Sequence, residues 1–396
     1  MFQRAVLYEI KNRVLESRKF IQILAGPRQV GKTTIIKQLL QQISIPYYFV
    51  TADDLYTADN TWIRREWNKA RLQLQQSDRK EVLFVIDEIQ KVPNWSEIVK
   101  KEWDADSFSD VNVKVILLGS SRLLIQKGLT ESLAGRYELI NITHWLFDEM
   151  HEAFGWNLDQ YIYFGGYPGS ASLIENEERW KSYIRESLVE TSIAKDILMM
   201  TRVDKPILLK RLFEIGCGYS AQILSLTKIQ GELQESGNLT TLSGYLNLLK
   251  ECGLLTGLEK YARNIIRKRS SKPKFQVHNN ALLSAGQEIS FENLRYNSKE
   301  WGRFVESAVG VHLINSGING GFNVYYWNNG TYEVDYVIEK GDKVIALEVK
   351  SGHNSINKGL TLFDQEFHPY KLFLIGTDGV PLEEFLSMNP VELFNL

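Results

Sequence analysis

The chain contains a complete phosphate-binding motif in the run GPRQVGKTT at residues 26–34. Gly26, Gly31, Lys32 and Thr33 satisfy the pattern G-x-x-x-x-G-K-[ST]. Glycines let the backbone turn tightly so that successive N–H groups point at phosphate oxygens, and a helix that begins there adds the positive end of its dipole. Lys32 is expected to reach the β- and γ-phosphates, and Thr33 to hold Mg²⁺. The predicted nucleotide-binding residues are Gly26, Pro27, Arg28, Gln29, Val30, Gly31, Lys32, Thr33 and Thr34.

Two acids follow the next long apolar run of the sequence. Residues 82–86 read Val-Leu-Phe-Val-Ile and lead directly into Asp87 and Glu88. A continuous apolar run is typical of a parallel strand buried on both faces, and ligands bind at the carboxyl edge of such sheets. We therefore expect Asp87 to orient Mg²⁺ and Glu88 to polarise the water that attacks the γ-phosphate. The alternative is a strand that merely ends in solvated acids.

The elements that position these groups follow the pattern of a doubly wound sheet. A strand at 20–25 precedes the loop, a helix at 33–42 follows it, and further strands are predicted at 47–50, 113–118 and 138–142. The strand at 113–118 ends in Gly-Ser-Ser, so a serine hydroxyl is expected at the same edge as the acids. That serine would contact the γ-phosphate or the attacking water, or it would cap the following helix.

The segments VLFVIDEIQKVPNW, LLGSSRLLI and LAGRYELI followed by WLFDEM resemble a branch of the prokaryotic AAA+ ATPases. In that branch the ATPase is fused to a C-terminal domain of formerly unknown function. The resemblance implies ATP and Mg²⁺ as cofactors, an AAA+ P-loop core over residues 1–147 and a helical lid over 148–205. It also implies that Ser120 or Ser121 is a sensor. Arg136 would be a finger arginine, acting in cis or on the ATP of a neighbouring subunit in a homo-oligomer.

Residues 206–285 have the pattern of a winged helix-turn-helix. Helices are predicted at 225–233 and 240–250, and two β-like segments follow at 254–261 and 274–278. Helix, turn, helix and hairpin is the order that DNA-binding modules of this kind use. The region between the two β-like segments is strongly basic and contains no acid. The predicted DNA-contacting residues are Arg263, Arg267, Lys268, Arg269, Lys272 and Lys274. A solvated loop or a protein-contacting surface are the alternatives.

A second group of acids lies in the last hundred residues. Gly341-Asp342 is a two-residue hairpin signal between two predicted strands. Taken literally, this turn places Asp335 opposite Glu348, with Lys350 on the same face and apolar residues on the other face. Two carboxylates directly opposite each other repel unless a cation lies between them. The register therefore predicts a divalent metal site.

A glutamate on a helix, an aspartate on one strand and Glu-x-Lys on the next resemble the PD-(D/E)XK nucleases. This resemblance implies that Asp335 and Glu348 bind Mg²⁺, that Lys350 positions water or stabilises charge, and that Glu306 assists from the helix. The predicted nuclease-like domain covers residues 286–396. A polar hairpin face in a relic of the fold, without cleavage activity, is the alternative.

Composition limits the remaining classes of function. The 396 residues suggest two to four domains, and the net charge of −2 requires any nucleic-acid binding to come from a local patch. Cys217 and Cys252 have no metal-site or disulfide spacing, which favours a reducing cytoplasm. No apolar run is long enough to span a membrane, and charged residues interrupt the N-terminus where a signal peptide would be apolar. We therefore expect a cytoplasmic protein with no membrane partner.

The predicted fold class is α/β in several domains: an AAA+ P-loop parallel-sheet core, a helical lid, a winged helix-turn-helix and a restriction-endonuclease-like α/β domain. The predicted function is Mg²⁺-dependent ATP binding and hydrolysis by a protein that acts on DNA. One alternative is an ATP-dependent DNA nuclease of defence or repair. Another is a nucleotide-gated switch or scaffold with an inactive nuclease-like domain.

Overall fold

The computed structural model describes residues 2–54, 61–120, 132–198, 202–233, 238–263, 271–350 and 358–396. The chain divides into two compact units, Met1–Ile142 and Thr143–Leu396. The predicted divisions at residues 147, 205 and 285 stay predictions. Within the described ranges, no helix combines the length and the apolar character that crossing a bilayer requires.

The first unit alternates helices and strands. Its elements are α1 Val6–Leu15, β1 Ile21–Ala25, α2 Lys32–Leu40, β2 Tyr47–Thr51, α3 Trp62–Gln75, β3 Val82–Asp87, α4 Trp95–Phe108, β4 Val113–Gly119 and β5 Tyr137–Asn141, with short 3-10 turns at Ala52–Asp54 and Ile89–Lys91. The predicted strands and the predicted helix after the glycine loop are confirmed. Where an end differs from the prediction, it differs by one or two residues.

The five strands form one parallel sheet in the order β2-β3-β4-β1-β5. Strand β4 therefore lies between β1, which leads into the glycine loop, and β3, which ends in Asp87. Because all strands run in the same direction, the segments after β1, β3 and β4 meet at one edge of the sheet. This topology brings the loop, the acids and Ser120 together.

Both faces of this sheet are buried, as the continuous apolar runs predict. Phe84 and Ile86 pack with Trp67 and Trp103 on one face. Leu83 and Val85 point to the other face and pack with helices α1 and α2. Successive side chains of a strand point to opposite faces, so an uninterrupted apolar strand fills two cores at once.

The second unit begins with a helical segment. Its helices are α5 Phe147–Phe154, α6 Leu158–Phe164 and α7 Glu177–Ser182, with a 3-10 turn at Pro168–Leu173 and π-helical turns at Tyr183–Glu190 and Ser192–Leu198. The Tyr163 hydroxyl on α6 donates to Glu177 and to the carbonyl of Ile289. The segment predicted as a lid is thus tied to later residues of the same unit.

A small three-stranded sheet with three helices follows. The elements are α8 Pro206–Gly218, β6 Gln222–Ile223, α9 Leu226–Glu232, α10 Leu239–Glu251, β7 Leu255–Leu258 and β8 Lys274–Val277. The strands pair antiparallel in the order β6-β8-β7, so β8 is central. Ser225 caps α9 as expected, because its side chain accepts from the Lys228 N–H. Helix α10 begins earlier than predicted, with Asn238 as its cap.

The C-terminal part is a mixed sheet with helices. Its elements are α11 Asn280–Ser284, α12 Phe291–Tyr296, α13 Ser298–Gly320, β9 Asn323–Asn328, β10 Glu333–Lys340, β11 Lys343–Lys350, α14 Lys358–Phe367, β12 Lys371–Gly376 and α15 Leu382–Ser387, followed by a 3-10 turn at Pro390–Phe394. The sheet order is β12-β11-β10-β9, with β11 and β12 parallel and the other pairs antiparallel.

The hairpin register that the Gly341-Asp342 turn predicts is confirmed from Lys340↔Lys343 to Tyr336↔Leu347. Apolar residues of this hairpin, such as Val337 and Ala346, pack with Phe363 of α14. Strand β10 has an irregularity against β9 between Val334 and Val337. Asp335 lies at this irregularity, one residue beyond the last paired position of the hairpin.

Candidate functional site

The glycine loop connects β1 to α2, which begins at Lys32. Gly31 precedes the helix with a φ of 89°, a left-handed conformation that favours glycine. A Cβ at Gly26 would lie 2.0 Å from the carbonyl oxygen of Ile142, so only glycine fits there. The Lys32 ammonium donates to the carbonyls of Gly26 and Pro27 at 2.9 and 2.7 Å. It therefore lies across the mouth of the loop, where a phosphate would meet it.

The Thr33 hydroxyl and the Asp87 carboxylate are in direct contact. Thr33 donates to Asp87 Oδ2 at 2.9 Å, and the Glu88 N–H donates to Asp87 Oδ1 at 2.9 Å. Burial raises the pKa of Asp87, the Thr33 hydrogen bond opposes the shift, and the nearby Glu88 carboxylate adds to it. A hydroxyl and a buried carboxylate are hard oxygen donors, which is the set that Mg²⁺ prefers. Thr33 and Asp87 therefore fit a magnesium ion that would neutralise this carboxylate.

Glu88 begins the turn after β3 in a left-handed conformation, with a φ of 52°. Its Oε2 accepts from the Ser120 hydroxyl at 3.1 Å and from the Gln90 amide. Gln90 also donates to the Ser120 oxygen at 2.9 Å. The predicted base and the predicted sensor are thus in one hydrogen-bonded group that contains neutral donors. Ser121 lies outside the described residues.

Arg136 lies immediately before β5, at the amino end of the strand. Its guanidinium binds the Asp104 carboxylate at 2.7 and 3.1 Å. Because Tyr137 pairs with Ile21 in a parallel register, Arg136 and the glycine loop are at opposite ends of β1. A strand of this length separates them by more than about 13 Å. The structure therefore does not bring Arg136 to the loop of its own chain.

The second unit contains a cleft of about 1140 Å³ between the three-stranded sheet and the C-terminal part. The charged residues of its lining are mainly basic. The cations are Lys228, Lys260, Lys272, Lys299, Arg303 and Lys350. Glu306 and Glu333 are the acids of the lining. The predicted C-terminal site residues Glu306 and Lys350 therefore lie in the wall of a basic cleft.

Two of the predicted C-terminal site acids already contact a lysine ammonium from another element. The Lys274 ammonium forms a hydrogen-bonded ion pair with Glu306, and it lies 3.8 Å from Asp335 Oδ1 and 3.1 Å from the Asp335 carbonyl oxygen. Burial lowers the pKa of Lys274, but Glu306 and Asp335 outweigh burial, so the net shift is upward. Burial also raises the pKa of Glu306, and Asp335 adds to that shift.

The remaining members of the predicted site are paired as well. Lys350 Nζ lies 2.7 Å from Glu348 Oε1, and the Val349 N–H donates to Asp335 Oδ2 at 2.8 Å. Burial lowers the pKa of Lys350, but the hydrogen bond to Glu348 and the charges of Glu348, Asp335 and Glu306 together outweigh burial, so the net shift is upward. Among the described residues, no group of three or more histidine, cysteine, aspartate or glutamate side chains is arranged to hold a metal ion.

The predicted DNA-contacting residues differ in their exposure and in the groups that they contact. Lys272 is exposed and lines the cleft, whereas Arg263 donates to the Phe367 carbonyl at 3.1 Å. Lys274 was expected in the exposed basic loop, and this prediction is wrong. It opens the central strand β8, and only 2% of it is exposed because Glu306 and Asp335 neutralise it inside the unit. Arg267, Lys268 and Arg269 lie outside the described residues.

Several residues of these sites were not predicted. Gln90 follows the acids by two positions, but only the fold shows that its amide bridges Glu88 and Ser120. Lys228, Lys260 and Lys299 are scattered single charges in the sequence and meet only across the cleft. Local patterns could not find them, because the contacts join segments far apart in the chain.

Models of known protein families match three stretches of this chain. Residues 18–151 match the family model of an AAA domain, and residues 155–293 and 301–391 match two domains of unknown function. A protein of Haemophilus influenzae described as uncharacterized is 24% identical over 349 residues, which cover 83% of this chain and 82% of the relative. One of Methanocaldococcus jannaschii, also described as uncharacterized, is 24% identical over 358 residues, 85% of this chain and 76% of the relative.

The solved structure of the Walker-type ATPase of Pyrococcus abyssi is similar over 72% of this chain and 96% of that chain, with 13% identity and a TM-score of 0.49. The match of residues 18–151 to the AAA model agrees with the parallel sheet and with the contact between Thr33 and Asp87. Residues 18–151 therefore form an AAA-type P-loop ATPase domain that supports ATP binding and hydrolysis.

Proposed function

We propose that this protein uses ATP hydrolysis, with Mg²⁺, to act on DNA that binds in the basic cleft of the second unit. The observation that carries the proposal is the concentration of charge in that cleft. Six cations line it against two acids, although the whole chain has a net charge of −2. A phosphate backbone releases condensed counterions when it binds such a surface, and this release supplies much of the affinity for DNA.

The order of elements around the cleft supports the same proposal. Helix α8, strand β6, helices α9 and α10, and strands β7 and β8 follow one another as in a winged helix-turn-helix. Lys228 lies on α9 and Lys272 lies directly before β8, so both cations come from this module.

The C-terminal elements support a nuclease-like ancestry. Helix α13, strands β9 to β11, helix α14 and strand β12 have the order that the PD-(D/E)XK resemblance implies, and Glu306, Asp335, Glu348 and Lys350 occupy its positions. An ATP-dependent DNA nuclease is therefore the second candidate function. In the third, a nucleotide-gated scaffold, the same domain would contact partners without cutting.

We further propose that Arg136 acts on the ATP of a neighbouring copy, in a homo-oligomer. Its position at the far end of β1 supports action in trans over action in cis. Within its own chain, the guanidinium forms an ion pair with Asp104.

The test is the ATPase rate of the full chain with and without duplex DNA, in the presence of Mg²⁺. We expect DNA to stimulate hydrolysis, and a Lys272→Ala/Lys299→Ala variant to lose the stimulation while keeping the basal rate. Both lysines are exposed in the second unit, so their loss leaves the ATPase fold intact. A rate that DNA leaves unchanged, together with no measurable DNA binding, would contradict the proposal.

A further inference from the structure

The ammonium of Lys274 occupies the middle of the acid cluster in the second unit. It comes from β8, whereas Glu306 is on helix α13 and Asp335 is on strand β10. The ammonium pairs with the Glu306 carboxylate, approaches Asp335 Oδ1 to 3.8 Å and donates to the Asp335 carbonyl oxygen at 3.1 Å. A single internal cation therefore serves both carboxylates.

This lysine is fixed in place by its surroundings. Its backbone pairs with Ile223 on one side and with Leu258 on the other, because β8 is the central strand of its sheet. Its side chain is 2% exposed, and the ammonium lies 4.7 Å from the centre of the Tyr336 ring. Withdrawing it would leave the buried Asp335 carboxylate and the partly buried Glu306 carboxylate without this counter-charge, which is costly in a low-dielectric site.

The acid cluster does not fit the magnesium ion that the nuclease resemblance implies. Magnesium requires several oxygen ligands at about 2.1 Å in octahedral geometry. Glu306 Oε1 and Asp335 Oδ1 face Lys274, Asp335 Oδ2 accepts from the Val349 N–H, and Glu348 Oε1 binds Lys350. A second cation at the same oxygens would be repelled by the ammonium groups already there.

We propose that the C-terminal domain is a metal-independent binder of DNA phosphates, in which the Lys274 ammonium takes the place of a divalent ion. The inference rests on the proposed function, because it assumes that DNA enters the cleft. With the acids neutralised from inside, the cations of the cleft wall meet the phosphates directly. Glu306 and Lys274 then act as positioning residues that hold the wall together, and the domain binds DNA without hydrolysing it.

The first experiment uses the nucleotide-free, full-length protein and a fluorescent DNA duplex, in excess EDTA and in Mg²⁺ at matched ionic strength. We expect dissociation constants that agree within about two-fold, because counterion release depends on salt and not on a specific ion. We also expect no cleavage of the duplex in Mg²⁺ or Mn²⁺. Binding that requires a divalent ion, or cleavage that Asp335→Asn abolishes, would overturn the inference.

The second experiment titrates Mn²⁺ in the absence of DNA, by electron paramagnetic resonance. We expect the wild type and Asp335→Asn to bind the same amount of Mn²⁺, because Lys274 keeps the acid cluster closed to it. Lys274→Met removes the charge and keeps the length of the side chain, so we expect it to gain a Mn²⁺ site. That gained site should disappear in Lys274→Met/Asp335→Asn.

The outcomes separate this inference from the proposed function. A wild-type Mn²⁺ site that Asp335→Asn removes overturns the inference even if DNA binds, and so does a folded Lys274→Met protein that gains no site. A protein that binds no DNA under any condition contradicts the proposed function, and with it the phosphate-binding part of the inference. If Lys274→Met does not fold, the wild-type titration and the comparison in EDTA still decide the question.

Discussion

Both units contain a cluster of acids, but the side chains that bind these acids differ in charge. In the first unit Asp87 accepts from the Thr33 hydroxyl, and Glu88 accepts from Ser120 and Gln90. In the second unit Glu306 and Glu348 each bind a lysine ammonium. The acids of the first unit lie at the end of a buried strand and accept hydrogen bonds from neutral donors, whereas those of the second unit lie on a helix and within strands and are paired with ammonium groups.

The partner, more than the acid itself, decides what such a cluster can do. Neutral donors orient a carboxylate and leave its negative charge for a metal ion or for a water molecule that it polarises. An ammonium within hydrogen-bonding distance cancels that charge. In the first site the carboxylate charge therefore stays available for a metal ion or a water molecule, whereas the second site is an ion-pair network beside a basic cleft.

The largest effect is expected from Lys32→Ala. Removing the ammonium that faces the phosphates should lower kcat/KM for ATP by about 10³-fold, or ~4 kcal/mol of transition-state stabilisation. Phosphate release measures it. Lys37→Ala is the matched control, because Lys37 is exposed on the same helix α2 and should leave the rate unchanged. Equal loss in both variants would mean that helix α2, not the ammonium, had been damaged.

A smaller loss is expected from Glu88→Gln, which keeps the shape of the side chain and removes its charge. General-base catalysis contributes typically about 10²-fold or more, so kcat should fall by that amount while nucleotide affinity is retained. Steady-state hydrolysis and binding of a fluorescent ATP analogue measure the two quantities. Glu97→Gln, at an exposed position of α4, is the control. An unaltered kcat would remove Glu88 from the catalytic group.

The first site could be predicted from the sequence because its signals are local. The glycine loop spans nine residues, and Asp87 and Glu88 directly end an apolar strand. Parallel strands then bring these segments to one edge without further information. What the sequence did not contain was the bridge from Gln90 to Ser120, which depends on the 3-10 turn after β3 and on the neighbouring position of β4.

The second site contains contacts that local sequence patterns do not predict. The turn at Gly341-Asp342 predicted the hairpin register correctly from Lys340↔Lys343 to Tyr336↔Leu347, because a two-residue loop fixes the pairing next to it. It could not predict that Lys274, about sixty positions earlier in the chain than Asp335, would lie between the carboxylates of Glu306 and Asp335. The predicted pair of Asp335 and Glu348 is not among the observed pairs of the hairpin, and a different ammonium lies near each acid: Lys274 near Asp335 and Lys350 near Glu348.

Lys274→Met tests how much the ammonium between Glu306 and Asp335 contributes to the stability of the second unit. Removing one partner of an ion pair leaves the other charge uncompensated, and because Glu306 is partly exposed we expect the low end of the usual loss, about 3 kcal/mol of the unfolding free energy of the second unit. Chemical denaturation monitored by tryptophan fluorescence measures it. Adding Glu306→Gln should restore part of the loss, because the carboxylate left behind is then neutral. Lys272→Met, two positions away and exposed, is the control that should cost little.

The smallest effect is expected from single lysines of the cleft wall, and it tests whether that wall meets phosphates. Lys272→Ala should lower the slope of log K against log salt for duplex DNA by about one, since each neutralised phosphate contributes about 0.9. Titrations at several salt concentrations measure the slope. Lys358→Ala removes an exposed charge outside the cleft lining, and it should leave the slope unchanged. Equal slopes for Lys272→Ala and the wild type would mean that DNA does not bind at Lys272. The proposed phosphate-binding role of the second unit would then be contradicted. A reduced slope that is also measured in EDTA would instead indicate that the lysines of the cleft wall, and not a metal ion, contact the phosphates.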